Sequence, residues 1–133
     1  MPYMVWDGSL SIGHEAIDAD HRMLVNCVND VYDASGDTEA VVERVIGVLT
    51  QYTIEHFGRE EELMQRFNYP NIRSHEEEHY IIRKLLEGHQ LKYSSDENGI
   101  ENFLHFLKLW LVGHIKGSDL KLAEYLRKAN PVY

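Results

Sequence analysis

Apolar residues recur three and four positions apart along four long stretches of the chain. This spacing places side chains on one face of an α-helix, and the alternation typical of strands is almost absent. The sequence therefore predicts an all-α fold. The predicted helices cover 18–34, 38–66, 71–92 and 97–116, with a short C-terminal helix over 119–128.

Polar turn segments separate the four long helices, at 35–38, 68–71 and 94–99. Gly36 can end the first helix, and Pro70 suits the start of the third. Because short links favour antiparallel neighbours, the predicted architecture is an up-down-up-down four-helix bundle.

The first thirteen residues differ from the rest of the chain. Gly8 and Gly13 discourage a helix there, so we expect 1–13 to form an extended arm that lies against the bundle. A chain of 133 residues has the usual length of one domain and can form a core without disulfides. We therefore expect a single domain over 1–133, in which the bundle occupies about 18–116.

Charge and composition narrow the possible partners and compartment. The chain has 13 Lys plus Arg and 22 Asp plus Glu, and the net charge of -9 disfavours nucleic acid and anionic lipid. Its one cysteine, Cys27, lies among apolar residues, which is typical of a small buried side chain in a reducing compartment. We see no secretory signal pattern, and the most apolar stretch, 103–115, is shorter than the ~20 residues of a membrane span. The sequence predicts a cytoplasmic protein that does not span a membrane.

Polar residues interrupt the apolar stripe of every helix. One buried histidine is more often a core residue than a metal ligand. Five imidazoles in one core would leave many polar groups unsatisfied, at about 1–3 kcal/mol each, unless a metal binds them. The four stripes read Ile17, His21, Leu24, Val28, Val31; Val45, Leu49, Tyr52, His56, Glu60, Leu63, Phe67; Ile72, His75, His79, Ile82, Leu86; and Ile100, Phe103, Leu107, Trp110, His114.

The positions of the five histidines along their helices indicate one shared site. His21 lies early in the first helix and His56 lies late in the second. His75 and His79 lie early in the third helix, and His114 lies late in the fourth. In an antiparallel bundle all five lie at the same end.

One carboxylate, Glu60, joins this set by its spacing from a histidine, whereas Asp119 can join it only where the helix is locally widened or ends. Glu60 follows His56 by four residues, as His79 follows His75, so each pair can reach a common centre. Asp119 follows His114 by five residues, which turn an ideal α-helix by about 500° and off one face. We therefore predict a π-bulge or a helix end near Gly117.

At these positions the chain resembles the hemerythrins, and more closely the single-domain bacterial members called bacteriohemerythrins. The order, the spacings and the overall length match over nearly the whole chain, whereas one HxxxH or HxxxE alone would be weak. The matching segments are Ile17-Asp18-Ala19-Asp20-His21, His56-Phe57-Gly58-Arg59-Glu60, His75-Glu76-Glu77-Glu78-His79 and His114-Ile115-Lys116-Gly117-Ser118-Asp119.

The resemblance implies two iron ions in a non-haem di-iron centre that binds dioxygen reversibly. Bridging carboxylates and an oxo or hydroxo bridge would leave one open position for dioxygen, on the iron with two histidines. The implied ligands are His75, His79 and His114 on one iron, His21 and His56 on the other, and Glu60 and Asp119 bridging both.

The resemblance also implies an apolar oxygen pocket. Such walls keep out the water and protons that would make dioxygen binding irreversible. Each wall residue lies within four residues of an implied ligand, and the same residues would pack an ordinary core equally well. The implied walls are Leu24, Phe57, Trp110, Leu111 and Ile115.

The remaining histidines and acidic residues near the site are expected to have ordinary roles. A surface or hydrogen-bonded core position is expected for His14, His89 and His105. A solvated helical face accounts for most of the glutamates, although some could orient the ligand histidines. These glutamates are Glu61, Glu62, Glu76, Glu77 and Glu78.

Three alternatives stay open beside an oxygen carrier. A di-iron oxidase or ferroxidase also occupies a four-helix bundle, but it uses Glu-x-x-His pairs and more carboxylates. An oxygen or redox sensor would signal the ligation state of its metal site to a partner. In this family sensors are typically fused to signalling domains. Zinc also suits imidazole ligands. The favoured interpretation is a monomeric carrier, not an enzyme, that stores, transports or delivers dioxygen to an oxygen-consuming membrane monooxygenase or oxidase.

Overall fold

The structure is a computed structural model that describes residues 2–92 and 99–129, without the side chains of 89–92. Within these ranges it is helical throughout and contains no strand, which confirms the all-α class. The elements are a 3-10 turn Gly8–Leu10, α1 Glu15–Ala34, α2 Glu39–Arg66, α3 Ile72–Lys92, α4 Gly99–His114, a π-helical segment Ile115–Asp119 and α5 Leu120–Ala129. The predicted turn at 94–98, the helix start at 97 and the side chain of His89 lie outside the described residues.

Side-chain caps determine where the first two helices begin. The Nδ1 of His14 accepts a hydrogen bond from the Ile17 amide at 3.2 Å, so α1 begins three residues earlier than predicted. The Thr38 hydroxyl accepts from the Val41 amide at 3.4 Å and caps α2. Each cap satisfies an amide that the helix itself leaves without a partner.

The long helices form the predicted bundle. Helix α1 packs on α2 and α4, and α2 packs on α3. Antiparallel packing brings the end of α1, the start of α2, the end of α3 and the start of α4 to one end of the bundle. That end is an apolar core, which includes Val28, Val31, Ile46, Leu86 and Phe103.

The buried face of α2 differs from the predicted stripe. The predicted Val45, Tyr52, Leu63 and Phe67 are only partly buried. The predicted Leu49, His56 and Glu60 are buried, and the other buried positions of α2 are Val42, Ile46, Thr50, Thr53, Phe57 and Met64. The buried threonines satisfy their hydroxyls by donating to backbone carbonyls four residues earlier, at 2.9 and 2.7 Å, so polar residues that a stripe of apolar side chains omits can face the core.

A smaller correction applies to α4. Ile100 and Trp110 are partly buried, whereas Leu104 and Leu111 lie in the core beside Phe103. The α4 helix is apolar on more than one face, so the three-and-four spacing did not single out the buried one.

The N-terminal arm lies against the bundle, as predicted. Met4, Leu10 and Ile12 are buried, and the only helical turn in the described part of the arm is Gly8–Leu10, which the sequence did not predict. The Asp18 carboxylate accepts from the Ile12 amide at 2.9 Å and from the Ser11 hydroxyl at 2.8 Å. These bonds attach the arm to the first turn of α1.

None of the helices described here has both the length and the apolar character that crossing a membrane requires.

Candidate metal centre

The seven residues predicted as metal ligands meet at one end of the bundle. All seven are at most 4% exposed. Their donor atoms form two groups, and within each group the atoms lie within 4.8 Å of one another. The first group contains Glu60, His75, His79, His114 and Asp119, and the second contains His21, His56, Glu60 and Asp119. The two groups share both carboxylates, an arrangement suited to two adjacent cations.

The π-helical segment brings Asp119 into this cluster. It widens the helix between His114 and Asp119, so that residues five apart can both face inward. The His114 Nε2 lies 3.2 Å from Asp119 Oδ1. The predicted π-bulge near Gly117 is therefore confirmed, and the helix continues from α4 through this segment into α5 without the break that the sequence left open.

The donor atoms face one another at short range. Asp119 Oδ2 lies 2.9 Å from His21 Nε2, and its Oδ1 lies 3.0 Å from His75 Nε2. Glu60 Oε1 lies 3.0 Å from His79 Nε2 and 3.5 Å from His56 Nε2. Imidazoles thus surround both carboxylates.

Most of these atoms have no hydrogen-bond partner despite the short distances. Both oxygens of Glu60 and of Asp119 are buried without one, as are Nε2 of His21, His56 and His75. Leaving buried polar atoms unpaired costs about 1–3 kcal/mol each, and a cation coordinated by their lone pairs removes that cost. The mixture of imidazole and carboxylate donors suits first-row transition metals. The residues present therefore fit a metal site.

The electrostatics of the cluster also favour cations. Burial opposes the charge of Glu60 and Asp119, but the neighbouring histidines outweigh this effect and lower the pKa of both carboxyls. Burial likewise opposes protonation of His75 and His114, yet the same carboxylates raise their pKa to about 9 and about 10. Protons on these histidines thus take the place of metal charge, and metal binding must displace them.

Two outer carboxylates accept hydrogen bonds from the far side of ligand histidines. Glu78 lies 3.0 Å from His114 Nδ1 and also accepts from the Ser118 hydroxyl at 2.8 Å. The bond with His114 lowers the pKa of Glu78 to about 2. Of the five glutamates named in the sequence analysis, Glu78 has this role, whereas Glu61 Oε1 lies 3.9 Å from His79 Nδ1, too far for a hydrogen bond.

Sequence reasoning missed the second outer carboxylate, Asp20. It lies 2.8 Å from His56 Nδ1 and accepts two hydrogen bonds from Arg59, both at 2.8 Å. Burial opposes its charge, but His56 and Arg59 together hold the pKa of Asp20 well below its usual range. The available signal was its position beside His21 within the matching motif.

Aromatic rings cover two of the ligand histidines. The Phe57 ring stacks on His79 with centroids 3.9 Å apart, and Trp110 stacks on His114 at 4.5 Å. Of the predicted pocket residues, Leu24, Phe57, Leu111 and Ile115 are buried and Trp110 is partly buried. Their role as walls of an oxygen pocket stays a prediction.

Two of the other histidines, His14 and His105, have the ordinary positions expected of them. His14 is buried as the cap of α1, and His105 is exposed on α4.

The bundle and the cluster at its end define a class of helical metal-binding proteins, in which side chains of several helices enclose the metal. A family profile described as "Hemerythrin HHE cation binding domain" matches residues 12–126. The chain belongs to the hemerythrin family.

Named relatives agree with this assignment. A bacteriohemerythrin of Stenotrophomonas maltophilia is 31% identical over 128 residues, which cover 96% of this chain and 84% of the relative. A myohemerythrin of Riftia pachyptila is 30% identical over 120 residues, which cover 90% of each chain. The solved structure of a wild-type hemerythrin has a TM-score of 0.84 at 24% identity, covers 93% of this chain and 98% of its own, and supports the fold.

Proposed function

We propose that this chain holds two iron ions and binds dioxygen reversibly at them. Apolar side chains surround the place where dioxygen binds. The observation that carries this proposal is the pair of donor groups that share Glu60 and Asp119. In the proposed assignment these two carboxylates bridge the ions. The ligands of one ion are His75, His79 and His114, and those of the other are His21 and His56.

Two ferrous ions at this site would supply the two electrons that reversible dioxygen binding requires. The two halves of the site are unequal, because one has three imidazoles and the other has two. With only His21 and His56 beside the shared carboxylates, the second half would have room for one more ligand. The whole site has few anionic donors, so it stabilises Fe(III) less than a carboxylate-rich site does. This favours release of dioxygen over its activation.

In this proposal the apolar side chains around the site limit the access of water to it. Phe57 and Trp110 cover the faces of His79 and His114, and the centroids of their two rings are 6.0 Å apart. Leu24, Leu111 and Ile115 are at most 5% exposed. A dry apolar wall limits the supply of protons, and proton supply is what turns reversible binding into irreversible oxidation.

As a physiological role we propose oxygen storage, transport or delivery by a monomeric cytoplasmic carrier rather than an enzyme. An oxygen-consuming enzyme, such as a membrane monooxygenase or oxidase, is the partner that this role requires. The high negative charge disfavours nucleic acid as a partner.

Optical titration of the iron-loaded, reduced protein with dioxygen tests the proposal. We expect visible charge-transfer absorption to develop in air, to disappear under argon and to return over repeated cycles. Metal analysis should give two iron ions per chain. Absorption that never forms, or that persists under argon, would contradict reversible binding, and two tightly bound zinc ions in place of iron would indicate a structural site.

A pair of histidine variants provides the control. His79→Ala removes a ligand that is 2% exposed, and it should abolish the reversible absorption and reduce the iron content. His105→Ala removes an exposed histidine on α4 and should change neither. Rapid catalytic consumption of dioxygen by the wild-type protein with a reductant would instead support the oxidase alternative.

A further inference from the structure

Arg59 lies outside the ligand set but contacts it through one carboxylate. Its Nε donates to Asp20 Oδ2 and its Nη2 donates to Asp20 Oδ1, both at 2.8 Å. The same Oδ2 lies 2.8 Å from Nδ1 of His56. The contact runs from Arg59 on α2 to Asp20 on α1 and back to His56 on α2, and we call these three residues the Arg59 clamp.

The geometry of the Arg59 clamp is that of a two-pronged ion pair. A guanidinium bound by two parallel hydrogen bonds neutralises a carboxylate and holds it in one orientation. The Tyr52 hydroxyl donates to Asp20 Oδ1 at 3.2 Å, so this oxygen has a second donor as well. Asp20 is thus fixed in position and its charge is largely compensated.

The carboxylate behind a ligand histidine affects the metal that the histidine binds. A carboxylate that accepts the Nδ1 hydrogen fixes the tautomer of the ring and makes Nε2 a stronger donor. Neutralising that carboxylate weakens the effect. Arg59, which pairs with Asp20, is therefore in position to affect how strongly Asp20 increases the donor strength of His56.

In the other half of the site no such cation is found among the described residues. Glu78 accepts from His114 Nδ1 and from the Ser118 hydroxyl. Across the ranges that the structure describes, no Lys or Arg forms a salt bridge with Glu78. The two halves therefore differ in their number of histidines. They also differ in whether the charge of the outer carboxylate is compensated by a cation.

We propose that Arg59 is a positioning residue which, through Asp20, weakens the donor strength of His56 and keeps the two-histidine half of the site easier to reduce. The inference rests on the proposed ligand role of His56. Removing the guanidinium should leave the negative charge of Asp20 without its cation behind His56 and stabilise the oxidised metal. Removing the charge of Asp20 should do the opposite.

Opposite shifts in reduction potential are the decisive result. If Arg59 and Asp20 had only a structural role, removing either one would shift the potential in the same direction. In the iron-loaded protein we expect Arg59→Leu to lower the potential and Asp20→Asn to raise it. Each variant should change the ratio of oxidised to reduced iron at a fixed potential by about tenfold. For one electron this corresponds to a shift of ~59 mV in reduction potential. Arg59→Lys keeps the charge but loses the fork and should give an intermediate value.

A surface arginine provides the matched control. Arg83 pairs with Glu87 on the same helix at 3.2 Å, and its side chain is 51% exposed, compared with 46% for Arg59. Arg83→Leu should leave the potential unchanged. Shifts of the same sign for Arg59→Leu and Asp20→Asn, or a shift for Arg59→Leu no larger than that of Arg83→Leu, would overturn the proposal.

A measurement without iron or dioxygen separates this inference from the proposed function. In the zinc-loaded protein the Nδ1 proton of His56 should move downfield in Arg59→Leu and upfield in Asp20→Asn, as observed by NMR. These shifts would support the Arg59 clamp even if reversible dioxygen binding failed. Their absence would overturn the clamp even if dioxygen bound as proposed.

Discussion

His14 uses a buried imidazole to cap the first turn of α1. Its Nδ1 accepts a hydrogen bond from the Ile17 amide, which requires the unprotonated ring. Burial lowers the pKa of His14, against the opposing effect of the nearby Asp18 carboxylate. The folded protein therefore takes up a proton at this ring less readily than the unfolded chain, whose histidines titrate near pH 6.5.

This difference predicts a pH dependence of stability. The contribution of neutral His14 is fully present above about pH 6.5 and is lost progressively as the pH falls from that value through the lower pKa of the folded state, because the unfolded chain binds the proton first. His14→Asn keeps a capping side chain that does not titrate. Urea unfolding of the metal-free proteins should show a larger loss of stability for wild type than for His14→Asn between about pH 7.5 and pH 5. Parallel pH curves would contradict this assignment.

Residues differ in how far sequence alone could reveal their roles. The five histidines and Glu60 could be selected because they occupy inward positions at helical spacing, which is a local property of the chain, whereas Asp119 was selected from the family resemblance. Asp20 could not be selected in this way, since it is partly exposed and lies beside the apolar stripe of α1. Its role depends on His56 and Arg59 reaching it from α2, which only tertiary packing determines.

Helix ends were predictable to within about three residues, because caps and turns are local signals. Helix α1 ends at Ala34 and α2 ends at Arg66, as the turn residues after them indicated. Which side of α2 is buried was less predictable, because α2 packs against both α1 and α3 and buries more than one stripe. The extra residue between His114 and Asp119 indicated a disturbed helix, but it did not distinguish a widened turn from a break.

The hydroxyl of Tyr125 links helix α5 to the turn between α2 and α3. Tyr125 donates to the Phe67 carbonyl at 2.7 Å and to the Asn68 carbonyl at 3.1 Å. Tyr125→Phe should lower the free energy of unfolding by about 0.5–1.5 kcal/mol, the net value of a typical hydrogen bond. Chemical denaturation of the metal-loaded protein measures this loss. Tyr80→Phe is the control, since Tyr80 is 62% exposed on α3, and an equal loss in both variants would exclude a specific role for the Tyr125 bond.

The two ends of the bundle are stabilised by different interactions. One end is apolar and includes Val31, Ile46, Leu86 and Phe103. The other end buries five histidines and two carboxylates, most of which have at least one polar atom without a hydrogen-bond partner. Hydrophobic burial stabilises the first end with or without metal, whereas the second depends on a cation to satisfy its donors. That the whole chain forms a single domain stays a prediction.

Metal removal should therefore destabilise the molecule unevenly. A ligand that binds only the folded state adds about 2.7 kcal/mol at a free concentration 100-fold above its Kd, so chelation should lower the melting temperature. Hydrogen exchange should accelerate mainly in the amides around His21, His56, His79 and His114, while those around Leu86 stay protected.

A substitution at the apolar end separates the two contributions. Leu86 is 1% exposed, and Leu86→Ala should cost about 2–5 kcal/mol both with and without metal, because its contacts lie far from the donors. His79→Ala should lower the stability of the metal-loaded protein, because it removes a ligand. It should cost little in the metal-free protein, because it also removes one of the buried unpaired groups. If chelation instead accelerated exchange equally along all helices, the two ends would unfold as one cooperative unit and the metal would stabilise the whole core.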